Sequence, residues 1–177
     1  MRKIFILLVT LSIIACDSKV KPDEAKETKE TKETKDPEKK SDSKIRNGIV
    51  IKEEGLKIGQ AFLIDHEGNL VSDKNLTKIN QPLRVRLIIE SGLTVNEGKV
   101  SLGGSEKVVT SEGEVVLDEK DLFESVGAVD EKDASIITFT VTISKITKLL
   151  DYYELSFRVW DKSNNNSASG SFKFNVE

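Results

Sequence analysis

Apolar and polar residues alternate along this chain in segment after segment. "LRVRLIIE" (83–90) puts Leu83, Val85, Leu87 and Ile89 on one side and Arg84, Arg86 and Glu90 on the other. "IITFTVTI" (136–143) sets Ile137, Phe139, Val141 and Ile143 against threonines, and "YYELSFRVW" (152–160) sets Tyr153, Leu155, Phe157 and Val159 against Glu154, Ser156 and Arg158. "SFKFNV" (171–176) repeats the pattern with Phe172, Phe174 and Val176. A period of two belongs to strands with one buried and one wet face, the signature of antiparallel sheets. Shorter candidates at 49–53, 57–64, 98–102, 106–110 and 114–118 fill the gaps, separated by "DHEGN" (65–69), "GG" (103–104), "SEG" (111–113) and "SNNN" (163–166). So many short strands predict an all-β fold, a single antiparallel β-sandwich. One segment, "DEKDLFESV" (118–126), reads as a short helical crossover, with Asp118 as cap and Leu122, Phe123 and Val126 facing the core.

None of this texture exists before residue 48. Met1, Arg2 and Lys3 precede an apolar run from Ile4 to Ala15, the charge-then-apolar order of a secretory signal peptide. The run is well short of the roughly 20 residues a membrane-spanning helix needs. It ends in Ile13-Ile14-Ala15-Cys16, and Cys16 is the only cysteine. These four residues resemble the lipobox of bacterial lipoproteins. The resemblance implies cleavage after residue 15, lipid on Cys16, and a place on a membrane of the cell envelope. Asp17 resembles the inner-membrane retention signal of enterobacteria-like systems, a rule other lipoprotein-rich phyla do not follow. With its one cysteine acylated the chain forms no internal disulfide, so the fold rests on its hydrophobic core.

Residues 16–47 carry the Lys-Glu-Thr repeat of "KPDEAKETKETKETKDPEKKSDSK" and almost no aliphatic side chain. Such a composition buries too little apolar surface to offset ordering entropy and predicts a disordered tether, with an end-to-end distance of about 30 Å. The expected organisation is therefore signal peptide 1–15, lipidated cysteine and tether 16–47, and sandwich 48–177. The last strands, "YELSFRVWDKSNNNSASGSFKFNV", resemble the final hairpin of bacterial immunoglobulin-like domains. That resemblance implies an immunoglobulin-like sandwich without the Cys…Trp…Cys core of antibody domains, and it implies no activity, because the fold hosts many.

Residues suited to catalytic chemistry are few. His66, the only histidine, sits in the turn sequence "IDHEGNL" with no triad partner in view. The sequence has no phosphate-binding glycine loop, HExxH or CxxC. A carboxylate pair of the glycosidase kind has no acid in an apolar setting to support it. Calcium is the one cofactor the loops suggest. "DKSNNN" (161–166) spaces Asp161, Ser163 and Asn165 like the opening of an EF-hand, but Asn166 stands where the glycine belongs and Phe172 where the distal glutamate belongs. "DHEGN" offers Asp65, Glu67 and Asn69 in a similar way.

Charge is more informative. Residues 48–177 hold 15 Lys and Arg against 21 Asp and Glu, a net charge of −6, which argues against nucleic acid as a partner. The acids concentrate in 112–133: Glu112, Glu114, Asp118, Glu119, Asp121, Glu124, Asp130, Glu131 and Asp133, offset only by Lys120 and Lys132. An acidic face speeds encounter with a basic partner. Asp118, Asp121 and Glu124 are the candidate contact residues, with Trp160, an aromatic on the polar phase of its strand, as a second choice. The expected function is non-catalytic protein binding or assembly at the envelope, through a protein partner and through the membrane at Cys16. The alternatives are a small-ligand or polysaccharide module, and a carboxylate-dependent hydrolase.

Overall fold

The computed structural model describes residues 44–146, 148 and 150–177. The signal segment, Cys16 and nearly all of the expected tether lie outside the described residues. The described part is nearly all β, and its strand ladders are antiparallel apart from the short parallel pairing of β3 with β11. Strands β1 (Val50–Glu54), β2 (Lys57–Ile64), β3 (Leu76–Thr77), β4 (Leu83–Ser91), β5 (Lys99–Val100), β6 (Leu102–Thr110), β7 (Val115–Glu119) and β8 (Val129–Asp130) precede a single helical turn, α1 (Glu131–Ala134). Then follow β9 (Ile136–Val141), β10 (Tyr153–Asp161) and β11 (Ser167–Val176).

One sheet runs β1-β11-β10-β6-β7, with β3 beside the end of β11; the other runs β2-β4-β9; β5 and β8 form a separate small ladder. This is the pairing of an immunoglobulin-like sandwich: a β10–β11 hairpin flanked by β6 in one sheet, with β2, β4 and β9 opposite. The alternating side chains seen in the sequence meet between the sheets. Leu63, Val85, Leu87 and Phe139 from one and Val108, Leu155, Phe157 and Phe174 from the other are all buried in one core. Phe139 stacks on Phe157 across the gap, with ring centroids 5.4 Å apart.

The fold departs from the sequence expectations at four places. The expected crossover helix 118–126 is absent: β7 continues to Glu119, and turns follow. Leu122 and Val126 stay exposed, so no apolar stripe is available to bury a helix face, and only Phe123 turns in. The one helical turn falls later, at α1. Gly103 and Gly104 read as a turn but lie inside β6, paired with Trp160 and Val159 of β10. Both are glycine for a packing reason, because a Cβ at Gly103 would strike the Trp160 indole and one at Gly104 would meet the Phe123 ring. Strand β11 begins at Ser167, since its small polar start pairs with all of β1.

The fourth departure is the tether boundary. Residues 44–47, expected in the tether, are part of the fold. Ile45 bridges Ala61 on the edge of β2, and the Arg46 N–H donates to the Ala61 carbonyl at 2.9 Å. Asn47 is buried: its Nδ2 donates to Val71 O and to Asn75 Oδ1, while its Oδ1 accepts from the Leu63 N–H at 3.0 Å. Asn75 answers by donating to Asn47 O and Lys173 O, each at 2.8 Å. Both asparagines hold positive φ, 59° and 50°, a conformation asparagine tolerates better than most residues.

Candidate functional site

The acidic segment runs through edge strand β7, the turns at 120–127, β8 and α1, and most of its residues are exposed. Within it the carboxylates divide into two kinds. Some are committed. Asp118 accepts from Lys120 Nζ at 2.8 Å, which holds its carboxyl below the usual range. Asp130 pairs with Lys99 at 2.9 Å, and Glu112 pairs with Lys148. Asp121 is turned inward, accepting from the N–H groups of Gly104 (3.1 Å) and Phe123 (2.9 Å) and from Lys162 Nζ (2.9 Å). Burial pushes the Asp121 carboxyl up, but the Lys162 ammonium and the two N–H donors outweigh it and hold it below the usual range. Lys162 also donates to Phe123 O. Asp121 is thus a clamp that seats Phe123 on Gly104, with both its carboxylate oxygens engaged inside the fold.

The others are free. Among the described residues Glu114, Glu119, Glu124, Glu131 and Asp133 have exposed side chains and no ion pair. Exposed apolar side chains stand among them: Val115, Val116, Leu122 and Val126. Where the turn closes over the end of the sandwich it leaves an apolar cavity of about 160 Å³. Leu102, Ala134 and Ile137 form its buried floor, Phe123 a wall, and Val126 and Asp133 its exposed rim.

Trp160 is half-buried on the outer face, lying over Gly103 with the Arg158 guanidinium 5.6 Å from its ring centroid. It covers the sheet where the strand has no side chain of its own. Tyr152, just before β10, carries the Lys173 ammonium 3.8 Å above its ring and lines a shallow polar cleft of about 480 Å³ with Glu154 and Asp73.

The loops read as calcium candidates have other uses for their oxygens. Asp161 is fully buried, and both carboxylate oxygens accept from N–H donors: Oδ2 from Thr94 N (2.5 Å) and Asn164 Nδ2 (3.2 Å), Oδ1 from Ser163 N (2.7 Å). Ser163 and Asn165 stay exposed on the turn. In the other loop Asp65 accepts from the N–H groups of Glu67 and Asn69, and Asn69 Nδ2 donates to Asp65 and Glu67. His66 is exposed on that turn, 3.7 Å from Glu67. No group of three or more His, Cys, Asp or Glu is placed to hold a metal among the described residues.

One acid does stand in an apolar setting, against the expectation from the sequence that none does. Glu106 lies in β6 on the phase of Leu102 and Val108, paired with Phe157 of β10 on one side and Glu119 of β7 on the other. It is buried, its Oε1 has no hydrogen-bond partner, and burial, aided by the Glu119 charge, pushes its carboxyl up to about 7. The signal was a glutamate on the apolar phase of "LGGSEKVV".

No family model and no curated protein matches this sequence. Among solved structures, the C-terminal domain of wzt is similar with a TM-score of 0.44 and 15% identity, over 75% of this chain and 80% of that one. A superoxide reductase (neelaredoxin) from Ignicoccus hospitalis is similar with a TM-score of 0.39 and 14% identity, over 71% and 82%. At that distance neither likeness says what this chain binds.

Proposed function

We propose that this protein is a lipid-anchored lipoprotein of the bacterial cell envelope, and that its sandwich is a non-catalytic module that binds a basic protein through the 112–133 surface. The observation that carries the binding role is the coexistence there of unpaired carboxylates, Glu119, Glu124, Glu131 and Asp133, with the exposed Val115, Val116, Leu122 and Val126. Scattered exposed apolar residues are ordinary on a protein surface, but four of the ten large exposed apolar side chains among the described residues fall in this one acidic segment. The anchor rests on the Ile13-Ile14-Ala15-Cys16 sequence, and several acyl chains at about 0.8 kcal/mol per buried methylene would hold it firmly.

Two measurements test the two halves. Cys16→Ser should move the protein from the membrane to the soluble fraction, and an unchanged distribution would defeat the anchor. Crosslinking in intact cells should give a recurrent protein partner that Glu119→Lys, Glu124→Lys and Glu131→Lys together abolish while the fold persists. Survival of the crosslink in that triple variant would move the site elsewhere. The Tyr152 cleft supports the ligand-binding alternative, and a rise in Tm with added glycans would favour it.

A further inference from the structure

The 160 Å³ cavity beneath the 121–127 turn is too small for a typical small-molecule site of roughly 300–1,000 Å³. It matches a single side chain: a dry cavity of about 150 Å³ lined by Leu, Ile and Phe accommodates one benzene ring. Its lining here is nearly all carbon, from Leu102, Phe123, Val126, Val129 and Ile137, with one carboxylate, Asp133, at the rim. Glu124 and Glu131, exposed and without an ion pair among the described residues, flank the lining residues in the chain; Lys132, also exposed and without an ion pair there, offsets one of these charges, while Lys99 and Lys162 are occupied by Asp130 and Asp121.

We infer that this cavity is the anchor socket of the acidic surface: it receives one aromatic side chain from a basic segment of a protein partner, with lysines or arginines on either side of that aromatic paired to Asp133, Glu124 and Glu131. The inference rests on the proposed protein-binding function and adds the chemistry of what is bound. Charge complementarity selects the partner class. An acidic segment would face unpaired like charges, and a purely apolar ligand would gain nothing from the rim. The socket is also built rather than accidental. Phe123 forms its wall only because Asp121 and Lys162 fasten the turn, and because Gly104 leaves room for the ring.

The test uses the full-length protein in neutral phosphatidylcholine nanodiscs, with isotope-labelled Ile, Leu and Val methyls, titrated with the peptide Lys-Lys-Phe-Lys-Lys. The methyls of Leu102, Val126, Val129 and Ile137 should move together, while those of Val85 and Leu87 in the sandwich core stay still. Lys-Lys-Ala-Lys-Lys should bind at least tenfold more weakly, and Glu-Glu-Phe-Glu-Glu should leave the socket methyls unmoved. Val126→Lys, at the exposed rim, should cut the affinity for the phenylalanine peptide at least tenfold. Asp133→Asn should weaken it several-fold and flatten its salt dependence. No movement up to about 5 mM peptide, a range that captures even millimolar affinities, overturns the proposal, as does equal movement with the acidic or the alanine peptide. The two proposals fail separately. A cellular partner lost in the triple lysine variant but retained by Val126→Lys sinks the socket alone. Socket methyls that respond in a protein with no recurrent partner sink the cellular role instead.

Discussion

Among the described residues two carboxylates are buried, and the two regions that hold them treat them in opposite ways. At the β10–β11 turn Asp161 is surrounded by donors: Thr94 N reaches it from the loop after β4, and Ser163 and Asn164 from its own turn. The same end is tightened by Asn166, whose Nδ2 donates to Gly92 O, and by Gly55, whose missing side chain leaves room for Asn166. At the β6–β7 edge Glu106 is almost as buried, yet one oxygen has no partner and the charge of its strand partner Glu119 is of the same sign. Burial by itself therefore says nothing about whether a carboxylate stabilises a fold. The donors supplied to it decide that.

The largest loss of stability is expected at Asp161. Asp161→Ala strands two backbone N–H groups, each costing about 1–3 kcal/mol when buried without a partner. The expected loss is about 3–5 kcal/mol in urea unfolding, with Tm lower by about 10 °C or more. A loss under about 1 kcal/mol would mean that Asp161 only decorates its turn.

Glu106→Gln should work in the other direction and only at one end of the pH scale. A carboxyl raised from 4.5 to about 7 is neutral in the native state at low pH and must ionise inside the protein as pH rises. Its contribution to stability is whole below about pH 4.5 and lost progressively as pH climbs through 7. Gln removes the ionisation, so the variant should match wild type near pH 4 and exceed it at pH 9 by about 2 kcal/mol. That figure lies below the roughly 3 kcal/mol of the shift alone, because water reaching the edge strand screens part of it. Parallel unfolding curves for the two proteins across that range would show that Glu106 finds a partner the static geometry lacks.

The two regions also differ in how much of them the sequence discloses. Apolar alternation locates β2, β4, β9 and β10 to within a residue or two, because each buries every second side chain against one core. It fails where the fold is built from something other than apolar side chains. Gly103 and Gly104 look like a turn, since only Trp160 and Phe123, distant in sequence, explain two glycines inside a strand. Ser167–Gly170 lack the pattern because backbone pairing to β1 forms that part of β11. Asn47 and Asn75 are turn formers by composition, and their mutual hydrogen bonds appear only once the fold brings their two loops together beside β11. Of the candidate site, the charge of 112–133 is fully legible, but which acids are free is not. Asp121 and Glu124 are indistinguishable in the sequence, yet one is held by Gly104, Phe123 and Lys162 and the other is exposed.

That last distinction gives the smallest effect and the finest test. Asp118 and Asp121 are three residues apart and both paired with a lysine, but only Asp121 also receives backbone N–H groups. Asp121→Ala should cost about 1–2 kcal/mol, the value of a lost turn cap, and should shift the methyl resonances of Leu102 and Ile137 by releasing Phe123 from the cavity wall. Asp118→Ala should leave the melting curve and those resonances unchanged, since its pair with Lys120 is solvent-exposed. Raising salt to 1 M should erase the pKa depression at Asp118 and preserve most of that at Asp121, because screening reaches an exposed ion pair more fully than hydrogen bonds from backbone donors. Equal responses at the two aspartates would mean that the turn over the cavity is held by charge alone. Unequal ones would leave Asp118 at the disposal of a partner and Asp121 at the disposal of the fold.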